Sequence, residues 1–262
     1  MRPTPELERV EISVDGPVGR LTLAEPRRLN PLGTPMLSQI TAAAEWLATL
    51  DHLKVVVVAG HGRSFSAGAD IAGITGAADD GLTPRQRAAA GRRMADAVED
   101  IGAVTVARIQ GHCLGGGVVL ATTCDLRVAA EDASFALPEV GLGIPLAWGG
   151  IPRLVREIGP GATRDLVLTC RTIDADEALR LGLVQRVVPT GSLDDEVESL
   201  VASIAAKATG AVRATIAHVD AVTGAMIGRS TAWADDDLLA AAGRDPEAVA
   251  AAGAALERFT RR

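Results

Sequence analysis

Apolar positions along this chain fall into two alternating kinds of run. Lys54-Val-Val-Val-Val-Ala59, stopped by Gly60, is continuous rather than alternating, as expected for a strand buried on both faces of a parallel sheet. Val104–Ile109 and Leu126–Ala130 have the same character, and Val10–Val14 and Arg20–Ala24 read as shorter strands joined by a turn at Asp15-Gly16-Pro17. Between them the period lengthens. Leu37, Ile40, Ala44 and Leu47 follow Thr34-Pro35, which predicts a helix with Thr34 as N-cap and proline at its first position. A second Thr-Pro pair, Thr83-Pro84, opens a helix reaching about Ile101, and Gly111–Gly117 reads as a loop leading into a helix over Val118–Cys124. From Asp174 the pattern is mostly helical. Ser192 and Asp195 have the spacing of a capping box ahead of Val197, Leu200, Val201 and Ile204, and Asp235–Arg262 is an alanine-rich helical tail. Strand, glycine loop and helix in alternation predict an α/β fold with crossover connections and a C-terminal helical extension, with no polar linker between the two.

Composition narrows the function classes. With 262 residues and 48% apolar residues the chain can bury a substantial core. A net charge of −7 lacks the basic footprint that nucleic acid demands, and three Trp, three Phe and no Tyr leave little for base stacking. The opening MRPTPELERV has no apolar leader pattern and no run of about 18 apolar residues occurs, so the expectation is a cytoplasmic protein that does not span a membrane. Cys113, Cys124 and Cys170 are odd in number and lack metal-ligand spacing, and they read as small buried hydrophobes; no metal is expected.

The chemistry sits in two glycine loops. In GHCLGGGVVLATTCD three glycines precede a helix that carries no charge until Asp125. Glycine at a strand-to-helix turn supplies positive φ or lets a ligand touch the backbone, and the unpaired amides of a helix start suit a phosphate or a carbonyl oxygen becoming an oxyanion. The phosphate reading is incomplete, because Leu120 stands where a dinucleotide fingerprint needs its third glycine and no lysine follows. The second loop, Ser66-Ala67-Gly68-Ala69-Asp70, also follows a buried strand. Parallel strands point their C-terminal ends the same way, so two such loops can bring one amide donor each to a single carbonyl.

Three stretches in order, GRSFSAGADI, GHCLGGGVVLATTCDLRVAAEDASFALPEVGLG and ALRLGLVQRVVP, resemble the crotonase superfamily, the enoyl-CoA hydratases and isomerases, from about Val10 to Pro189. The resemblance implies a spiral of repeated ββα units over residues 1–195 holding an acyl-CoA site, and a helical region over 196–262 that mediates assembly into a homotrimer or a dimer of trimers. It implies a thioester substrate carried on coenzyme A and no separate cofactor. Carried over by position, the oxyanion donors are the amides of Ala69 and Gly116. Ala67, Gly68, Asp70 and Ile71 line the coenzyme A path, and Arg27, with Arg28 beside it, meets its phosphates or simply lies in a solvated loop. Asp70 either caps a helix after Ala69 or assists the chemistry. His112 lies beside Gly116, as a hydrogen-bonded structural histidine or a participant.

The hydratases of this family use two glutamates, and here the position three residues after the central glycine is Val119, while the second is Glu139 in Leu137-Pro138-Glu139-Val140. Three residues is nearly one helical turn, so Val119 faces the substrate and cannot hold water. One glutamate suffices to move a proton between C2 and C4 of a 3-enoyl thioester, and burial of Glu139 among Leu137, Val140, Leu142 and Ile144 is expected to raise its pKa. The expected function is therefore an enoyl-CoA isomerase or hydratase with Glu139 as acid and base, isomerisation being preferred. A non-catalytic acyl-CoA binder and another crotonase reaction such as thioester hydrolysis are the alternatives. In GIPLAWGGIPRL, Leu146 and Trp148 replace small residues, which implies a reshaped acyl pocket, although Trp148 fits the core equally well.

Overall fold

The computed structural model describes residues 3–70 and 81–260. Its main sheet has the order β1 (Val10–Asp15), β2 (Val18–Leu23), β3 (Val55–Gly60), β4 (Val104–Ile109), β6 (Leu126–Ala130) and β9 (Arg186–Val188). β1 and β2 form an antiparallel hairpin, and every later pairing in this sheet is parallel. The continuous valine run of β3 is explained by its two partners. Val56 and Val58 point into one core with Ala107, Ile109 and Ala129, while Val55 and Val57 point into a second with Val104, Val106 and Val128.

Helices cover both faces. The larger core packs under α1 (Thr34–Leu47), α2 (Pro84–Glu99) and α3 (Gly116–Thr122), the second under α6 (Leu193–Ala205), which contributes Leu193, Val197, Leu200 and Val201. Each such side chain fully removed from water contributes about 1.5–3 kcal/mol. Because α6 caps the sheet and runs across positions 195 and 196, the expected seam between core and extension falls inside a helix that belongs to the core. Beyond it come α7 (Thr209–Met226), α8 (Asp235–Ala242) and α9 (Pro246–Thr260); α4 (Gly150–Thr169) and α5 (Ala175–Leu181) precede it.

A second, smaller sheet orders the site. β5 (His112–Leu114) pairs in parallel with β7 (Ser134–Ala136), and β7 pairs antiparallel with β8 (Ile173–Asp174). The ladder continues through single bridges, Ser66 with Cys113 and Leu32 with Ala69. Each ββα turn thus lays one strand in the large sheet and a short one in the small ladder, as the spiral expectation requires. The stretch expected to be a loop, 111–117, instead holds β5, and its helix begins at Gly116 rather than Val118.

Two caps differ from expectation. Gly33, not Thr34, is the N-cap of α1, so that Pro35 falls at the second helical position. Ser192 does precede α6, but its φ of −106° and ψ of 0° continue a 3₁₀ turn over Thr190–Ser192, and its side chain caps nothing. The Thr83 cap forms fully, with Gln86 reciprocating as a capping box. Among the described residues no single helix is long and apolar enough to cross a membrane.

Asn30 ties the ladder to the loop that follows β3. It is fully buried in the left-handed region (φ 52°), and its amide nitrogen donates to the carbonyls of His61, Ser64 and Phe65 at 3.0–3.1 Å. Its carbonyl oxygen accepts from the Glu25 amide, and its backbone oxygen accepts from Ser66 Oγ. Asn30→Ala strands several buried polar groups and loses the side chain best suited to that conformation. We expect urea unfolding to show a loss of about 2–4 kcal/mol, with the native fold retained.

Candidate active site

Gly68 sits at φ 85°, and a Cβ placed on it would lie 2.5 Å from the Leu114 carbonyl oxygen and 3.4 Å from the Gly116 nitrogen. The two glycine loops therefore meet backbone to backbone, and only glycine permits that approach. Around this contact most amides are used: Ser66 donates to the His112 carbonyl, Ala67 to Leu29, Leu114 to Ser66 and Gly115 to Ala136. The amides of Ala69 and Gly116 donate to no acceptor among the described residues. Both residues line one cavity of about 450 Å³.

Gly115 makes the turn possible. At φ 50° and ψ −118° it joins β5 to α3 in a conformation that L side chains avoid. It also leaves room for the acid, since a Cβ there would lie 2.5 Å from Glu139 Oε1. Glu139 follows β7, the ladder neighbour of β5, and its own carbonyl starts a 3₁₀ turn over Val140–Leu142 by accepting from Leu142 and Ile144. Its side chain is buried, Oε2 has no hydrogen-bond partner, and desolvation pushes its pKa up to about 7. The expected hydrophobic surround needs one correction. Leu137 and Ile144 are buried, but Leu142 is half-buried and Val140 points outward with 41% exposure, because the 3₁₀ turn rotates it away from the acid.

The remaining expected residues divide. Val119, Leu146 and Trp148 line the cavity with Glu139, as does Asp70. Asp70 pairs with Arg28 at 3.0 Å; the helix it was expected to cap falls on residues 71–80, and Ile71 likewise lies outside the described residues. Arg27 is exposed on the 3₁₀ turn Pro26–Arg28, away from the cavity lining. His112 lies on the exposed side of β5, where its Nδ1 meets Ser134 Oγ at 2.9 Å, and it does not line the cavity. Cys113 and Cys124 are buried, and burial pushes both thiols up, Cys124 to about 12. Among the described residues no cluster of His, Cys, Asp and Glu could hold a metal ion.

Two features were not visible in sequence patterns. The roof of the cavity comes from the same chain's α8 and α9, through Leu239, Ala240, Ala248 and Val249. Trp148 stands at φ 61°, and its indole lies where a Cβ on Gly91 of α2 or on Gly116 would be, within 2.0 and 2.3 Å. The only advance signal for that contact was a glycine inside the helical pattern of α2, where it costs about 1 kcal/mol against alanine.

Two free amides beside a buried carboxyl group can hold a carbonyl oxygen while a proton leaves or joins the neighbouring carbon. The enoyl-CoA hydratase/isomerase family model matches residues 14–245. The chain belongs to this family. It is 35% identical over 207 residues to the crotonyl-CoA hydratase of Syntrophomonas wolfei, covering 79% of each chain. Its structure superposes on an enoyl-CoA hydratase from Mycobacterium avium subsp. paratuberculosis with a TM-score of 0.87 at 26% identity, covering 95% of this chain and 99% of that one. A family protein from Thermobifida fusca solved in complex with CoA gives a TM-score of 0.78 at 30% identity, covering 87% of this chain and 95% of that one.

The ionisation of Glu139 has a consequence for the stability of this family member. Its carboxyl group titrates near 7 when folded and near 4.5 when exposed, so folding favours the protonated form. That contribution is complete below about pH 4.5 and is lost as pH rises through 7, on the order of 3 kcal/mol in all. Glu139→Gln removes the titration. The stability of wild type relative to Glu139→Gln is expected to fall between pH 4.5 and 7.5, measured by denaturant unfolding at a series of pH values.

Proposed function

We propose that this family member acts on acyl-CoA thioesters and shifts the double bond of a 3-enoyl-CoA to the 2-position. The observation that carries this reading is the buried carboxyl group of Glu139, alone among the described residues in having a buried carboxylate oxygen without a partner, beside the free amides of Ala69 and Gly116, with an apolar wall at Val119. The thioester oxygen accepts from both amides. Glu139, as carboxylate, takes the proton from C2, and the electron pair spreads from C2 through the carbonyl carbon onto the thioester oxygen and, through the C3–C4 double bond, onto C4. The same carboxyl group then returns its proton to C4, leaving the double bond between C2 and C3. A pKa of about 7 suits a group that must both take and give a proton near neutrality.

Val119 supports isomerisation over hydration. Water added at C3 must be positioned and deprotonated, and Val119 is 1% exposed with only carbon to offer. Among the described residues Asp70 is the other carboxylate on the cavity lining, and it pairs with Arg28. The name of the Syntrophomonas relative favours the second reading, hydration, in which Glu139 alone handles the water.

The CoA complex of the Thermobifida relative supports coenzyme A as the carrier. On this reading the pantetheine passes Ala67, Gly68 and Asp70, and Arg27, which has no side-chain partner among the described residues, is free to meet phosphate. Leu146 and Trp148 shape the acyl end. α7 buries none of its residues and exposes Val219, Val222 and Met226, which supports its use in a trimer contact.

Turnover of trans-3-enoyl-CoA and trans-2-enoyl-CoA, followed by product analysis, separates the readings. We expect a 2-enoyl product from the first and little 3-hydroxyacyl product from the second, with Glu139→Gln lowering kcat by about 10²–10⁴. Efficient hydration dependent on Glu139 overturns the isomerase assignment, and tight acyl-CoA binding with no turnover of either substrate overturns catalysis.

A further inference from the structure

Trp148 and Gly149 occupy the left-handed region in succession, at φ 61° and 71°. A bulky aromatic residue adopts that conformation only where its surroundings over-determine it. Here the turn is held from two sides. Buried Arg153 donates from Nη1 to the carbonyls of Trp148 and Gly149, both at 3.2 Å, and its Nη2 is anchored by Asp96 and Glu99 of α2 at 3.1 and 2.5 Å. From the opposite side the Gly149 amide donates to Asp235 Oδ2 at 2.8 Å.

Asp235 is the first residue of α8, one of the two helices that roof the cavity. Its neighbour Asp236 is 5% exposed and takes a forked pair of bonds from Arg92 of α2, the shortest at 2.6 Å; Asp237 pairs with Arg85 on the surface. Arg92 and Asp236 therefore dock the helix, and Arg85 with Asp237 adds an exposed pair of small worth. The bond from Gly149 to Asp235 is different in kind, because it ties the roof to the turn whose indole lies against Gly116.

We propose that Asp235 is a positioning residue for the acyl site: by holding the Gly149 amide it sets the Trp148 indole between Gly91 and Gly116, so that seating of α8 fixes the shape of the acyl wall beside the reacting carbonyl. That this wall meets an acyl chain rests on the function proposed above; the coupling of α8 to the turn does not. Asp235 touches no substrate atom on this view. Loss of its carboxylate frees a buried amide and lets the turn relax out of the left-handed region, which loosens discrimination among acyl chains while the coenzyme A path along residues 66–70 stays as it is.

The test compares Asp235→Ala, Asp235→Asn, which keeps an acceptor oxygen, and Asp235→Glu, which keeps the charge but displaces the oxygen, with Arg85→Ala, which breaks the exposed pair between α2 and Asp237 of α8, as the control. Amide hydrogen exchange over residues 146–150 is read first, without ligand. We expect Asp235→Ala to speed it about tenfold or more, as for a lost bond to a charged acceptor. Asp235→Glu should move it the same way by less, Asp235→Asn should restore most of the protection, and Arg85→Ala should leave it unchanged.

The second readout is kcat/KM across 3-enoyl-CoA chains of four to twelve carbons, with the Kd for free coenzyme A measured alongside. Asp235→Ala should flatten the chain-length profile about tenfold with Kd for coenzyme A within about twofold of wild type. Unchanged exchange at 146–150 in Asp235→Ala overturns the proposal, as does an equal effect of Arg85→Ala. If Asp235→Ala does not fold, the contrast between Asp235→Glu and Asp235→Asn decides. If wild type turns over no enoyl-CoA, the function reading falls, and the exchange result still judges the positioning role.

Discussion

The site depends on the contact between two peptide backbones at Gly68 and Leu114. No side chain fits between them, and the left-handed φ of Gly68 turns the chain so that the contact can form. This contact joins the segment 66–69 to the short ladder of β5 and β7. The rest of the geometry follows from ladder order. The Ala69 amide leaves the first segment, the Gly116 amide leaves the end of β5 after the Gly115 turn, and Glu139 leaves the end of β7. Three chemical groups from distant parts of the chain are adjacent because their strands are. The large parallel sheet supplies the rigid floor on which those ladder positions repeat.

Burial then does two jobs at once. α3 is apolar and wholly buried, so the amide at its start and the one from Ala69 face a medium in which a bond to a developing negative charge is worth far more than in water. The same dryness denies Glu139 solvation and brings its pKa to about 7. Leaving Oε2 without a hydrogen-bond partner in the interior costs stability, and under the proposed function that cost is what poises Glu139 for proton transfer. On the proposed function, the inert character of the GGGVVLATTC helix is thus a requirement of the chemistry beside it.

Sequence patterns carried the first five strands of the large sheet and missed β9, three residues in a stretch expected to be mostly helical. The valine run of β3, the termini of β4 and β6, and the Thr83 cap are strong local signals, each tied to a run of several residues or to a side-chain bond. The ladder strands were illegible because three residues, or two in β8, cannot show a period. Ser192 shows the opposite failure, a correct cap spacing defeated by a 3₁₀ turn that rotates the hydroxyl away. At the site, Ala69, Gly116, Val119 and Glu139 came from motif positions, and the cavity brings them together. The clamp on Trp148 and the buried role of Asn30 did not, since Asp235, the α2 carboxylate that anchors Arg153 and the Ser64 carbonyl lie dozens of residues from what they hold, and no local pattern encodes them.

Val119 is more than an absent acid. A Cβ on Gly150 would lie 2.9 Å from Val119 Cγ2 and 3.1 Å from Leu146 Cγ, so these two side chains and the first turn of α4 form one closed apolar surface. A glutamate at 119 would carry two more heavy atoms from this surface, which lines the cavity with Glu139, and would bring a second carboxylate into the same space. Two like charges sharing a dry pocket would push one of them to stay protonated. Val119 and Leu146 thus close together on Gly150 at the start of α4, where only a residue without a side chain fits. On the proposed reading the backbone ladder holds the thioester carbonyl, and the side chains that close the cavity around Glu139 decide what reaches the carbon next to it.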